Sequence, residues 1–203
     1  MRLLKKIFQF SKSKSDSEEV LKTETESLNQ LEDKPVDELF AINFRQNGGK
    51  FLYCDNMEEI HECFDNIIRE NNWNDATFLC LSNHLRQCFS KFPINYASNN
   101  SQTECFLASC EFLVADTGAI LFSSKQIAEI NIKDFPDYII IFATTSQFVK
   151  TISDGLQGIK MKHPNKIPSN ITTLKNFDVP DDNNFMTYGS SSKKLYLLLL
   201  EDL

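Results

Sequence analysis

The chain has 203 residues, 41% of them hydrophobic and 24% charged, which is the composition of a single globular domain with a sizeable core. A formal net charge of −7, with no basic stripe bearing interleaved aromatic residues, argues against nucleic-acid binding. No apolar run reaches the ~18 residues of a membrane span, so we expect no membrane-spanning segment. The cysteines include no C-x-x-C pair, and the amino terminus lacks the features of a secretion signal. We therefore expect reduced thiols and a cytoplasmic protein.

Residues 1–34 are predicted to form a flexible tail and linker ahead of a domain that spans residues 35–203. The first ten residues place apolar side chains on one face of a short amphipathic segment, with basic residues off that face. Residues 11–34 are mainly Ser, Lys, Glu and Thr, which is typical of a solvated linker.

The first part of the domain carries residues that mark where helices begin and end. Pro35 opens a predicted helix that ends at the glycines of Asn47–Gly49, and Lys50–Cys54 follows as a short strand. Residues 56–71 are predicted to form a second helix, because Asn56 and Glu59 resemble a capping box ahead of an apolar stripe.

The stretch from Cys110 to Phe122 predicts a strand, a tight turn and a second strand. Two apolar tetrads, too short for helices, flank the polar turn Asp116-Thr117-Gly118. Asp can bond to nearby backbone N–H groups, and Gly can adopt a positive φ. We expect the apolar flanks in the core and only Asp116 and Thr117 free to meet a ligand.

Farther along the chain, Tyr138–Ala143 is apolar on both faces, as in a strand of a covered parallel sheet. Thr144, Thr145 and Ser146 follow, and apolar residues from Phe148 to Leu156 predict a helix directly after them. A strand, a hydroxyl-bearing loop and a helix in this order predict an anion site at the carboxyl edge of a sheet, with ordinary helix capping as the alternative. Residues 195–200 predict a final buried strand.

The sequence lacks the signatures of a metal site and of a nucleophilic catalytic triad. The three histidines have no His, Cys or carboxylate neighbour at metal-ligand spacing, and no G-x-S-x-G occurs. We predict no metal, no cofactor and no nucleophilic triad.

The order of these motifs resembles the LUD-domain family, which includes the C subunit of bacterial lactate-utilisation systems. The segments that carry the resemblance are Asn47–Gly49, Glu111–Ile120, Asp134–Ile139, and Tyr188-Gly189 leading into Leu195–Leu200. The resemblance implies an α/β fold with a largely parallel sheet sandwiched by helices, similar to isomerases and CoA transferases related to glucosamine-6-phosphate deaminase. It also implies a non-haem, non-flavin component of lactate oxidation, without ferredoxin-type cysteine runs.

One segment departs from the family pattern. Family members usually carry a G-P-S-R-T-A-D-I-E type segment, whereas residues 167–173 read I-P-S-N-I-T-T, without the Arg, Asp or Glu. Pro168, Ser169 and Thr172 match the pattern, so the resemblance implies no arginine-based anion role for this segment.

The leading hypothesis is a non-redox, ligand-binding or assembly protein of lactate or related organic-acid utilisation. A small anionic ligand would bind at the sheet edge through backbone N–H groups and Lys193. The candidate ligand-binding residues are Asp116, Thr117, Gly118, Thr145, Ser146, Ser169, Thr172, Ser190, Ser191 and Lys193. Iron–sulfur lactate-oxidation subunits are the candidate partners that the resemblance implies.

Three alternatives remain open. The fold could serve an isomerase or CoA transferase acting on an anionic small molecule, with Glu111 or Asp116 as the base or nucleophile. The Asp116-Thr117-Gly118 motif also matches the active-site loop of aspartic proteases, although the predicted helices oppose that all-β class. Finally, the domain could act purely in assembly, with its amphipathic tail binding a partner.

Overall fold

A computed structural model of the chain describes residues 34–99, 102–128, 130–131, 134–175, 177 and 193–202. The predicted amino-terminal tail and linker cover residues 1–34, and residues 1–33 lie outside the described residues. The described residues form an α/β fold with a largely parallel sheet flanked by helices, as the sequence predicts. All six cysteines are free thiols.

The large sheet has six strands, and every neighbouring pair is parallel. Its strands lie in the spatial order β1 (Lys50–Cys54), β10 (Lys194–Leu200), β7 (Tyr138–Thr144), β4 (Cys105–Ser109), β2 (Thr77–Leu79) and β3 (Asn95–Ala97). Alternate residues of β7 and β10 pack into different hydrophobic clusters on the two faces. This explains why both strands read as continuous apolar runs.

A second, smaller sheet surrounds the predicted hairpin. Its strands lie in the order β8 (Phe148–Val149), β5 (Phe112–Val114), β6 (Ala119–Ser123) and β9 (Ile171–Leu174). Strands β5 and β6 are antiparallel, with Leu113 opposite Ile120, so the hairpin prediction is confirmed. The apolar flanks of the hairpin are buried, as expected.

Five α-helices cover these sheets in the described residues. They are α1 (Val36–Gln46), α2 (Met57–Glu70), α3 (Asn83–Cys88), α4 (Ser124–Ile127) and α5 (Ile152–Lys162). Helices α2 and α3 pack on one face of the large sheet, while α1 and the small sheet cover the other face. Helix α5 lies on the outer face of the small sheet. None of the described helices has both the length and the apolar character needed to cross a membrane.

The predicted helix boundaries are confirmed where capping residues define them. Helix α1 ends at Gln46 with Asn47 as its C-cap, and Gly48 takes a φ of +88°, the left-handed conformation that glycine favours after a helix. The side chain of Asn56 accepts a hydrogen bond of 2.9 Å from the Glu59 backbone N–H. The Glu59 carboxylate in turn accepts one of 3.0 Å from the N–H of Asp55, one residue before the cap.

The segment after β7 differs from the prediction. Phe148 and Val149 form strand β8 and pair with Leu113 and Val114 instead of opening a helix. Helix α5 begins at Ile152, where Thr151 and Asp154 form a complete capping box. The predicted helical stripe is wrong because two of its apolar residues belong to a sheet, and Leu156 is 41% exposed.

The turn of the β5–β6 hairpin is anchored on helix α1. The Asn43 side-chain amide donates to the carbonyl of Ala115 at 2.8 Å, and that of Asn47 donates to the carbonyl of Thr117 at 2.8 Å. Gly118 has a φ of +63°, and a Cβ atom there would overlap the backbone of Asn43 and Phe44. The turn therefore requires glycine both for its conformation and for its contact with α1.

We expect Gly118→Ala to lower the free energy of unfolding by about 2 kcal/mol or more, because the new methyl group is strained by the positive φ and collides with helix α1. Urea denaturation measures the loss. Asp116→Ala is the matched control in the same turn, since the Asp116 side chain is exposed and should cost little. Equal stability of Gly118→Ala and the wild type would contradict the anchoring of the turn.

Candidate functional site

Three chain segments meet at the carboxyl edge of the large sheet. Glu111 follows strand β4 closely, Thr145–Gln147 forms a single 3₁₀ turn directly after β7, and Asp202 follows β10. Because these strands are parallel neighbours, their carboxyl ends reach the same edge, which is where α/β sheets commonly bind ligands.

Thr145 and Ser146 form a cradle for a carboxylate, and the chain places its own Asp202 in it. The Thr145 hydroxyl and the Ser146 backbone N–H donate to Oδ1 of Asp202 at 2.9 Å and 2.8 Å. The Ser146 hydroxyl donates to Oδ2 at 2.7 Å. The Asp202 N–H donates back to the Thr145 Oγ1 at 3.1 Å. We call Thr145 and Ser146 the carboxylate cradle.

These hydrogen bonds keep Asp202 ionised. The small loss of hydration acts to raise the pKa of this exposed carboxylate, but the bonds from the Ser146 hydroxyl and N–H outweigh it and lower the pKa to about 2. The predicted anion-binding segment thus contacts an anion in this structure. The predicted helix does not begin at this position, so no series of helix N–H groups faces the anion. The donors are one backbone N–H and two hydroxyl groups.

A second polar cluster surrounds the buried carboxylate of Glu111. The Ser123 hydroxyl donates to Oε1 of Glu111 at 2.6 Å, and the Gln126 amide donates to the same atom at 3.0 Å. Ser123 and Gln126 are also the two members of the capping box of helix α4. The start of this short helix therefore presents two donors to Glu111.

His163 and Lys125 complete this cluster, which we call the Glu111 cluster. The Lys125 ammonium lies 2.9 Å from Nδ1 of His163, so that nitrogen must accept and the ring carries its proton on Nε2. Nε2 lies 3.7 Å from Oε1 of Glu111 and has no hydrogen-bond partner among the described residues. The Nε2–H of the ring therefore faces the Glu111 carboxylate.

Glu111 is ionised despite its burial. Burial acts to raise its pKa, but the hydrogen bonds from Ser123 and Gln126 and the charge of Lys162 hold the pKa below its ordinary value. The Gln147 amide links the two clusters: it donates to the carbonyls of Cys110 at 2.7 Å and Glu111 at 3.2 Å. The edge therefore combines a carboxylate cradle with an ionised base. The described residues contain no group of three or more His, Cys, Asp or Glu side chains that could hold a metal ion.

The structure separates the other predicted site residues from the cradle. Asp116, Thr117 and Gly118 lie together at the closed end of the hairpin, against helix α1. The Thr117 hydroxyl is buried there and has no hydrogen-bond partner among the described residues. Ser169 is exposed, and Thr172 lies opposite Phe122 toward the open end of the hairpin.

Lys193 lies at the opposite edge of the large sheet. It precedes strand β10, and its buried ammonium donates to the carbonyl of Phe135 at 2.6 Å and lies 3.5 Å from the Asp137 carboxylate. The seven residues of β10 put it about 20 Å from the carboxyl edge at a rise of ~3.3 Å per residue. Ser190 and Ser191 lie outside the described residues. Of the predicted ligand-binding residues, Thr145 and Ser146 form the cradle.

The sequence patterns missed several residues of these clusters. The signal for three of them, Ser123, Gln126 and Gln147, is the capping-box spacing: S-x-x-Q from Ser123 to Gln126 and T-x-x-Q from Thr144 to Gln147. His163 is the C-cap of helix α5, and Asp202 follows the last strand. Neither has a local signal, because strand pairing and helix packing bring them to the edge.

Comparisons with known proteins agree with this fold. The family model described as the LUD domain matches residues 94–200, more than half of the chain. A similar solved structure is a DUF162 family protein from Deinococcus radiodurans, which is 12% identical with a TM-score of 0.59. The match covers 81% of this chain and 96% of that one. No curated protein matches the chain.

We expect the Asp202 contact to stabilise the fold in a pH-dependent way. Since its folded pKa, about 2, lies below the ordinary 3.8, its ionised form stabilises the protein above pH 3.8, and this contribution is lost as the pH falls toward 2. Asp202→Asn should lower the urea midpoint at neutral pH, and the difference from wild type should shrink through this window. Glu201→Gln is the control for loss of a neighbouring charge. If the urea midpoint of Asp202→Asn stayed below that of the wild type by the same amount at every pH, the ionised contact would be contradicted.

Proposed function

The chain belongs to the LUD-domain family, and we propose that it is a non-redox subunit of lactate or related organic-acid utilisation that binds a small organic anion. The observation that carries this proposal is the carboxylate cradle, whose donors already hold a carboxylate of the chain itself. In this proposal the protein works in the cytoplasm, and its partners are iron–sulfur subunits that oxidise lactate.

The cradle suits an organic acid because its donors match the two oxygens of one carboxylate. Two groups donate to Oδ1 of Asp202 and one to Oδ2, so a free carboxylate in the same position would satisfy all three. Asp202 is exposed, so an incoming carboxylate can reach the same donors, and the three hydrogen bonds lost by Asp202 are regained by the ligand. An organic acid can therefore exchange with the Asp202 side chain at modest cost.

The remaining candidate residues have different roles in this proposal. Asp116, Thr117 and Gly118 hold the hairpin on helix α1 and thereby position Glu111 at the other end of strand β5. Ser169 and Thr172 extend the polar surface next to helix α4, since the Ser124 N–H donates to the carbonyl of Asn170 at 2.9 Å. Lys193 supports the opposite edge through Phe135 and Asp137. The proposed binding residues are thus Thr145 and Ser146, with Asp202 as their internal competitor.

Asp202→Ala should increase the affinity for L-lactate or pyruvate by about tenfold, because it removes a competitor that occupies the cradle. Isothermal titration calorimetry on the full chain measures the change, with chloride as a control for general anion binding. Adding Ser146→Ala to Asp202→Ala should abolish the gain, since a hydroxyl donor is lost. Absence of organic-acid binding by Asp202→Ala would contradict the proposal.

Glu111 favours a second candidate function, an isomerase or CoA-transferase-like enzyme acting on an anionic small molecule. The specific observation is a buried, ionised carboxylate beside Ser123 and His163. A CoA transferase would use such a carboxylate to attack an acyl-CoA thioester, leaving an acyl anhydride on Glu111 and releasing the CoA thiolate.

Incubation with acetyl-CoA or lactoyl-CoA followed by mass spectrometry tests this second candidate. An acyl adduct on the peptide that contains Glu111, absent from Glu111→Gln, would support the enzyme. The conservative amide keeps the shape of the side chain, so the fold should survive the change. Identical spectra for the two proteins would rule out this covalent route.

A further inference from the structure

We propose that Cys54 and Cys63 form a peroxide-reactive thiol pair, in which Cys63 is oxidised first and Cys54 then closes a reversible disulfide. The two sulfur atoms lie 3.7 Å apart. Neither residue belongs to the carboxylate cradle or to the Glu111 cluster. The proposal therefore stands independently of the proposed function.

The fold holds these two sulfur atoms together. Cys54 is the last residue of strand β1 and is fully buried beneath helix α2. Cys63 lies on α2 and packs against the same cluster, and it is half-buried. A disulfide needs a sulfur–sulfur distance of about 2.05 Å, so the sulfurs must close less than ~2 Å. A side-chain rotation of the half-buried Cys63 can supply much of that movement.

The pair is chemically asymmetric. The Cys54 thiol donates a hydrogen bond to the Cys63 sulfur, and this bond lowers the pKa of Cys63 to about 7, against the opposing effects of burial and of Glu59 and Glu62. The same contact, with burial, raises the pKa of Cys54 well above its ordinary value. Cys63 therefore loses its proton more readily than Cys54, and the thiolate is the nucleophilic form of a cysteine. Cys63 is also the more exposed partner.

The reaction needs a hydroperoxide as its oxidant. The Cys63 thiolate attacks one peroxide oxygen, the O–O bond breaks, and hydrogen peroxide yields Cys63 sulfenic acid and hydroxide. The Cys54 thiol then attacks the sulfenic sulfur; the S–S bond forms, the S–O bond breaks, and water leaves with the Cys54 proton. The two thiols supply the two electrons that reduce the peroxide. A dithiol reductant reverses the disulfide by exchange.

The other cysteines lack this arrangement. Cys80, Cys105 and Cys110 are buried, and burial raises the pKa of each thiol. Cys88 is half-buried like Cys63, but its sulfur contacts the ring of His84 at 3.7 Å. Among the described hydrogen bonds, the contact between Cys54 and Cys63 is the one that joins two sulfur atoms. Cys88 therefore serves as the matched control.

Mass spectrometry of the full-length protein tests the pair directly. The reduced protein is treated with a small excess of hydrogen peroxide, free thiols are alkylated, and trypsin releases residues 51–69, which contain both cysteines. We expect this peptide to lose the mass of two hydrogen atoms and to escape alkylation. Cleavage after Glu58 or Glu59 should then leave its two halves linked until a reductant is added.

Variants separate the two roles. Cys63→Ser should form no such disulfide, and Cys54→Ser should accumulate a sulfenic acid at Cys63 that dimedone traps, while Cys88→Ser should behave as wild type. Circular dichroism checks that each variant is folded. A wild-type peptide 51–69 that stays fully alkylated after peroxide, or a folded Cys54→Ser protein in which dimedone traps no sulfenic acid at Cys63, would overturn the proposal.

Discussion

The anchoring of the hairpin turn on helix α1 is the constraint on which the rest of this structure depends. Asn43 and Asn47 lie one helical turn apart and donate to the carbonyls of Ala115 and Thr117, and Gly118 permits the close approach. These contacts hold the small sheet against α1 and the large sheet. Glu111 directly precedes β5, and Ser123 is the last residue of β6. Because both strands extend from the anchored turn, the anchor also determines where these two residues lie.

The candidate site reuses ordinary helix-capping chemistry. Ser123 and Gln126 form the capping box of helix α4, and Thr144 and Gln147 form that of the 3₁₀ turn after β7. Some of these capping side chains also bind groups outside the element that they cap. Ser123 and Gln126 donate to the Glu111 carboxylate, and Gln147 donates to the Glu111 backbone carbonyl. The Glu111 carboxylate and its hydrogen-bond partners are thus positioned by the starts of helix α4 and the 3₁₀ turn. This gives the edge rigid donors without a dedicated binding loop.

The sequence predicts those parts of the fold that local chemistry determines. Helix α1 with its glycine stop, strand β1, the Asn56 cap and the hairpin all follow from residues within a few positions of one another. Strand β8 could not be predicted in this way, because two residues become a strand only by pairing with β5. Asp202 has the same limitation, since tertiary packing alone brings it to Thr145.

Lys193 and Thr145 lie at opposite edges of the large sheet, although both residue types suit an anion site. Lys193 precedes a strand of a parallel sheet, and Thr145 follows a neighbouring strand, so the two must lie at opposite edges. The types of the two residues suggest an anion site, but the parallel direction of the strands keeps Lys193 away from Thr145. Residues before and after the strands of a parallel sheet therefore belong to different candidate sites.

The central claim is that Thr145 and Ser146 bind an exchangeable carboxylate, and nuclear magnetic resonance can test it on the unmodified protein. L-lactate is titrated while the Asp202 carboxylate carbon and the Ser146 amide are observed. We predict that the Asp202 resonance moves to that of a free carboxylate, while the Ser146 amide keeps its hydrogen-bonded shift. An Asp202 resonance that stays unchanged at saturating lactate would contradict the account.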